Sequence, residues 1–268
     1  MRYIFLTILI QFNLFAGLVG AKIVSLDLEN ESAKIDIEKI DVGMSCYVVH
    51  HITPEHSAIL KSCVVESFDA ATKTAVVKMS EFDLLKNNAL PSGKWEVIVG
   101  DSVELAFGYT RSLLIAPSEE IFYQISKSIK TQWIHPDTFA TLLSIHGHPT
   151  PLQEDFSNLS SASSAGLVFI YLDKKLYTVD MKSFKILAIS DAPLTQDSVK
   201  LPFYSRVEKI ETSWFIFGEG SDEMQSYEPH YYELLVENNK NNKTLYEIVR
   251  KSTNEEVHSL INEFEIGE

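Results

Sequence analysis

Two changes of pattern along the chain predict an α+β protein, with an N-terminal β-rich barrel or sandwich domain followed by a small α/β layer domain and C-terminal helices. Between residues 22 and 107 short apolar runs, often alternating with polar residues, recur between turn residues, which is the period-2 signature of half-buried strands. Beyond Tyr109 strands and helical patterns alternate, as in a layered sheet covered by helices.

In the first part the strand readings are 23–28, 33–37, 47–52, 58–67, 75–79 and 103–107. Asp41-Val42-Gly43 and Val99-Gly100-Asp101 fall where a strand must enter a turn. Six runs at close spacing suit a small barrel or sandwich. A strand at 113–116 then leads to a helix with Ser118 at its N-cap and Glu119 and Glu120 in its first turn, where acids suit the helix dipole. Ile121, Phe122, Ile125 and Ile129 share one face of that helix, so it packs against a core.

A short strand at 132–135 enters the densest stretch, residues 135–156, HPDTFATLLSIHGHPTPLQEDF. Pro136 pushes His135 toward an extended conformation, and Asp137 is placed to cap a helix carrying Phe139, Leu142, Leu143 and Ile145. Gly147 ends that helix. Thr150, Pro151 and Gln153 then combine an N-cap, a first-position proline and the third residue of a capping box, which starts a second helix near Pro151. Three strands follow and end near Ile189.

The C-terminal part opens with an aromatic-rich helix candidate in which Val207, Ile210, Trp214 and Phe217 keep helical spacing. The polar run 237–243 reads as a linker. Beyond it Leu245, Ile248 and Val249, then Val257, Leu260, Ile261 and Phe264, form an amphipathic helical extension, with Thr253 and Glu256 as a second capping box. The divisions are therefore a signal peptide over 1–21, a β-rich domain over 22–110, an α/β domain over 111–200, closing helices over 201–236, and a polar linker with its extension over 237–268.

Residues 1–21 hold one basic residue, Arg2, an apolar run, and the small residues Gly20 and Ala21. They read as a secretory signal with a cut after Ala21; the alternative is an N-terminal membrane anchor. No other stretch is apolar enough to span a bilayer. The formal net charge of −14 argues against nucleic acid and against an anionic membrane surface as partners. The expected compartment is periplasmic or cell-surface.

No Gly-x-Ser-x-Gly elbow, Walker loop or His-Glu-x-x-His is present, so the chain reads as a non-enzyme without a cofactor. His146 and His148 form a His-x-His pair, but it straddles Gly147 at a helix end and not a strand, and the spacing of a structural zinc site is missing. The expectation is no metal, with these imidazoles capping helix carbonyls. The acid-rich run 219–228 lacks the regular calcium-loop pattern and reads as a solvated loop. The clearest basic patch is Lys240, Lys243 and Lys251, joined by Arg250.

Cys46 and Cys63 are the two cysteines. In an oxidising compartment such a pair usually bonds. With a four-residue hairpin loop at 53–56, Ile52 pairs with Ser57, Val49 faces Leu60, Tyr47 faces Ser62 and Cys46 faces Cys63. Directly opposed Cβ atoms lie about 4.5–5.5 Å apart, within reach of a disulfide after local twist. A single bulge in either strand would point the thiols to opposite faces. The alternative is a pair of buried free thiols.

The words HPDTFA and GHPTP followed by EDF, with LLIAP at 113–117 upstream and DMKSFKIL and LPFYSRVE downstream, resemble the N-terminal domain of the PgbA plasminogen-binding proteins of Helicobacter, Campylobacter and their relatives. The resemblance runs from about residue 41 to residue 232 and rests on turn and core positions. It implies a secreted, non-enzymatic envelope protein that binds host plasminogen, with the lysines above as the ligand-binding candidates, since kringle domains capture lysine side chains. The alternative is a structural scaffold component of a periplasmic assembly such as the flagellar motor, motivated by the expected secretion, the lack of a catalytic motif and the amphipathic extension.

Overall fold

The computed structural model describes residues 19–82, 95–210 and 222–266. The signal-peptide reading over 1–18, and Trp214 and Phe217 of the aromatic helix candidate, lie outside the described residues, as does part of the acid-rich run at 219–221.

Six antiparallel strands close a barrel: β1 (Val19–Asp27), β2 (Ser32–Asp36), β3 (Ser45–Thr53), β4 (His56–Asp69), β5 (Thr74–Glu81) and β6 (Ser102–Leu105). Their order is β1-β2-β5-β4-β3-β6, and β6 returns to β1. All six expected strands are present. The alternation read in the sequence is the alternation of the barrel wall: Ile23, Ile35, Val48, Val65, Val77 and Val103 are all buried and meet in one core. Closure leaves no open edge for another chain to pair with. β1 meets β6 through Val19, Gly20, Ala21 and Lys22, so a cut after Ala21 would remove three of those four positions.

The β3–β4 hairpin differs from expectation in its turn. Thr53 pairs with His56, which leaves a two-residue loop, because the Thr53 hydroxyl accepts the N–H groups of Glu55 (3.3 Å) and His56 (3.1 Å) and tightens the corner. Ile52 and Leu60 are then extra residues on opposite strands, so Val49 faces Ile59 and His51 faces Ser57. The two irregularities cancel. Tyr47 faces Ser62 and Cys46 faces Cys63.

The second sheet has the order β11-β10-β9-β7-β8. Its strands are β7 (Arg111–Ile115), β8 (Gln132–Ile134), β9 (Leu167–Leu172), β10 (Lys175–Asp180) and β11 (Ile186–Asp191). β7 pairs in parallel with β8 and β9, and the other pairs are antiparallel. Strand β9 is buried along its whole length, the mark of a central strand covered on both faces. One face joins the barrel core through Leu114, Phe169, Tyr171 and α1 (Glu119–Ser128). The Ser118 hydroxyl accepts the Ile121 N–H at 3.3 Å, as its cap position requires.

The opposite face carries Leu113, Ile115, Val168 and Ile170. It is covered by α2 (Pro136–His146), α3 (Gln153–Ser163), α4 (Tyr227–Asn238), α5 (Lys243–Arg250) and α6 (Glu255–Ser259). Three helix starts fall one or two residues from the sequence reading. His135, not Asp137, is the N-cap of α2: its Nδ1 accepts the Asp137 N–H at 3.2 Å, and the Asp137 carboxylate instead holds Arg206. Leu152 precedes α3, where Asp155 supplies the reciprocal bond expected of Gln153. Asn254 caps α6 through the N–H groups of Glu256 and Val257, in place of Thr253. Gly147 does end α2, in the left-handed conformation at φ 74°.

Two further readings change. Residues 201–210 form no helix, so Val207 and Ile210 reach the core from irregular backbone. The polar run 237–243 is a bonded corner rather than a free linker. Asn239 is buried, accepts the Ile186 N–H (2.9 Å) and donates to the carbonyls of Phe184 (3.0 Å) and Leu235 (2.8 Å). Leu245, Val249 and Val257 are consequently part of the core, so the amphipathic extension docks on the body of the protein.

Barrel and sheet are joined at Asp180, which is fully buried at the end of β10. Its Oδ2 accepts the Ser45 N–H (3.0 Å), the Ser45 hydroxyl (2.7 Å) and the Tyr109 hydroxyl (2.7 Å). Its Oδ1 accepts the N–H groups of Lys182 (3.0 Å) and Ser183 (2.8 Å), and the Ser183 hydroxyl donates to the Gly43 carbonyl at 2.6 Å. Burial, reinforced by the Asp180 charge, pushes the Tyr109 hydroxyl well above its ordinary pKa, so it remains a donor. Replacing Asp180 by alanine is expected to cost at least about 3 kcal/mol in urea unfolding, because several buried donors lose their acceptor, whereas Tyr109→Phe should cost about 1–2 kcal/mol. Equal losses would show that the carboxylate is not the joint.

Candidate functional site

The lysine candidates lie around the α4–α5 corner. Lys240 is half-buried, with its Nζ 3.3 Å from Glu265 Oε1. Lys243 opens α5 and is exposed, with no ion pair found among the described residues. Lys251 follows the far end of α5, 3.8 Å from Glu247, which also holds Arg250 at 2.6 Å. The structure therefore brings Lys240 and Lys243 to one corner and puts Lys251 about 12 Å away along the helix axis, at 1.5 Å per residue. These are separate cations before, at the start of and just past the end of one docked helix. The helix is fixed from beneath by Leu245 and Val249, and its N-cap is Asn242, whose side chain accepts the Leu245 N–H at 3.0 Å.

Lys240 also lines a cleft of about 690 Å³ between the barrel and this corner, with Glu66, Lys78, Lys185 and Glu237 among its walls. Its lining mixes both signs of charge. A second cleft of about 590 Å³ lies between the barrel and α3. There Tyr47 receives a hydrogen bond from Lys182 Nζ, which also stands over its ring, 4.8 Å from the centroid. Burial lowers the Lys182 pKa against the opposing pull of Asp180, and burial with the Asp180 charge lifts Tyr47 to about 12.

Cys46 and Cys63 are buried free thiols, opposed across β3 and β4. Burial first, and then the neighbouring Cys63, push the Cys46 thiol well above its ordinary pKa.

The helix corner holds a grouping that the sequence reading did not assemble. His146 Nδ1 lies 3.0 Å from Asp155 Oδ1, and His148 Nδ1 lies 2.9 Å from the same oxygen. Asp155 is fully buried, His148 nearly so, and the His146 side chain is 31% exposed. The two imidazoles face this carboxylate and not the helix carbonyls expected for them. The signal was an acid at the third position of α3, hidden because Thr150-Pro151-Leu152-Gln153 reads as a complete start two residues earlier. No helix among the described residues is long and apolar enough to cross a membrane.

The described residues form a closed six-stranded barrel joined to a five-stranded mixed sheet, with lysines on the surface and two opposed thiols in the barrel wall. The family signature described as "Plasminogen-binding protein pgbA N-terminal" matches residues 18–235, and the chain belongs to that family. It is 24% identical over 222 residues to the plasminogen-binding protein PgbA of Helicobacter pylori strain J99, covering 80% of this chain and 47% of that protein. The corresponding protein of Helicobacter pylori strain 26695 is also 24% identical over 222 residues, with 80% of this chain and 46% of the relative covered. The chain thus spans about half the length of the curated relatives it matches. No solved structure matches the chain. The matched region ends before Lys240, Lys243 and Lys251 but includes the helix corner. Substituting Lys243 and Lys251 with alanine is expected to leave thermal stability within about 0.5 kcal/mol, as for surface sites without buried partners; a larger loss would mean that these lysines hold the fold.

Proposed function

We propose that this chain is a secreted envelope protein that works by capturing a protein partner, host plasminogen, and not by catalysis. The observation that carries this reading is the family match across residues 18–235, whose curated relatives are named for plasminogen binding. A lysine-binding kringle takes an ammonium between carboxylates and lays its stem along aromatic rings. Lys243 and Lys251 suit that chemistry because both project from a helix that is already ordered, so little conformational entropy is lost when they are held. Lys240 contributes less, being half-buried beside Glu265. One of the three motives for the scaffold alternative was the amphipathic tail. Its apolar face is covered by the body of the protein through Leu245, Val249 and Val257, which removes that motive.

Removing 238–268 to test the patch would take Asn239 and three core side chains with it, so point substitutions are the sharper probe. Immobilised full-length chain is expected to capture plasminogen, with release by a free lysine analogue. The Lys243→Ala, Lys251→Ala double variant should bind at least about tenfold more weakly, equivalent to about 1.4 kcal/mol. Binding unchanged in the double variant would remove these lysines from the site; no binding by the intact chain would remove plasminogen as the partner.

Secretion carries its own test. In an oxidising compartment Cys46 and Cys63 are expected to form a disulfide. Because a protonated thiol is a poor nucleophile and both are buried once the barrel closes, the bond should form during folding. Intact mass of protein from the periplasm should show an N-terminus at Lys22 and the loss of two hydrogens. Two alkylatable thiols under denaturing conditions would overturn the disulfide, and a start at or before Val19 would move the cut upstream and keep the β1–β6 ladder whole.

A further inference from the structure

We propose that His146, His148 and Asp155 form a binding site for a divalent transition-metal ion of the zinc class. One ligand atom from each of the three lies within 4.8 Å of the other two. The closest approaches, 3.0 Å for His146 and 2.9 Å for His148 to Asp155 Oδ1, are hydrogen-bond lengths, a few tenths of an ångström short of the roughly 3.3–3.6 Å between donors of a tetrahedral ion that stands about 2.0–2.2 Å from nitrogen and oxygen ligands, so the three side chains need to part only slightly to admit one. Two imidazoles and one carboxylate are a donor set suited to Zn²⁺ and neighbouring first-row ions rather than to calcium or magnesium.

The arrangement has features that a simple helix cap does not need. One carboxylate oxygen would satisfy the Leu152 N–H, and Oδ2 does so at 2.9 Å. That bond fixes the carboxylate plane, with Oδ1 toward both rings and Oδ2 also 3.0 Å from His148 Nδ1, as an outer-shell partner does for a metal ligand. The rings themselves are held apart by the backbone. Left-handed Gly147 separates them, and they meet edge to face with centroids 5.9 Å apart.

Glu154 supplies a further donor. Its Oε1 is 4.0 Å from His148 Nδ1 and its side chain is 66% exposed, so it can swing in as a fourth ligand, with water as the alternative. The partly exposed His146 gives the ion a way in, whereas the buried Asp155 supplies the charge that keeps it. A cation here lies at the C-terminus of α2, where the helix dipole favours it, and at the N-terminus of α3, where the dipole does not. The two ends offset, and the carboxylate decides. A bound ion would clamp α2 to α3 above Phe139 and Phe156, whose rings lie 4.7 Å apart in the core.

Tag-free full-length protein, stripped with chelator, should take up one Zn²⁺ per chain by calorimetry and give visible d–d bands with Co²⁺ that Zn²⁺ abolishes. His146→Gln should weaken Zn²⁺ binding at least about tenfold while leaving the circular dichroism and melting temperature of the metal-free protein unchanged. His56→Gln, on the β3–β4 turn, should bind as the natural chain does. X-ray absorption of the zinc-loaded natural protein should show two imidazole nitrogens, a readout that stands even if the His146 variant folds poorly. No saturable uptake, uptake equal in His146→Gln and the natural chain, or loss of uptake in His56→Gln would each overturn the site and leave the grouping as a hydrogen-bonded helix cap.

Discussion

A single buried carboxylate, that of Asp180, accepts bonds from both the barrel and the sheet, and the Ser183–Gly43 and Lys182–Tyr47 hydrogen bonds gather around it. Ser45 and Tyr109 come from the barrel and its exit, while Lys182 and Ser183 come from the turn after β10. Burying an ionised carboxylate is costly unless its lone pairs are filled, and here they are filled by donors from both sides. Separating barrel from sheet would expose or orphan those groups. The joint therefore favours one relative placement of the two cores, which an apolar seam alone would specify less sharply.

The same placement creates the clefts. Residues of the β10–β11 turn stand between barrel and helices, with Lys182 against Tyr47 on one side and Lys185 bonded to the Asn238 carbonyl on the other. Gly166 extends the contact where the chain leaves the barrel. Its N–H donates to the Gly108 carbonyl at 2.8 Å, and a Cβ at Gly166 would come within 2.6 Å of the Phe107 carbonyl oxygen. Backbone crosses backbone there, which only glycine permits. The lysine-bearing α5 inherits its rigidity from this frame through Asn239.

Much of the architecture was legible in the chain because it is written in local periods. Six strands of the barrel follow from alternation, and α1 follows from one cap and one apolar face. What escaped is long-range or depends on a competing local signal. Asp180 sits in a turn sequence like many others, and its partner Ser45 is 135 residues away. Asp155 was obscured by a plausible cap upstream, and Asn239 was hidden inside a polar run whose composition says linker. Asp180 and Asn239 are buried because backbone groups far along the chain need them, a requirement that no window of neighbouring residues contains, whereas the partners of Asp155 all lie within 9 residues of it.

The paired irregularities of the β3–β4 hairpin have a consequence for how this segment can change. The extra residues Ile52 and Leu60 sit on opposite strands, and the inward-facing register at Cys46 and Cys63 survives only because both are there. Deleting either one alone would turn every side chain beyond it to the other side of the wall, taking Cys46 and Val48 out of the barrel core. Length changes in this hairpin are therefore tolerable in matched pairs, one residue on each arm, and the two arms behave as a single unit of variation.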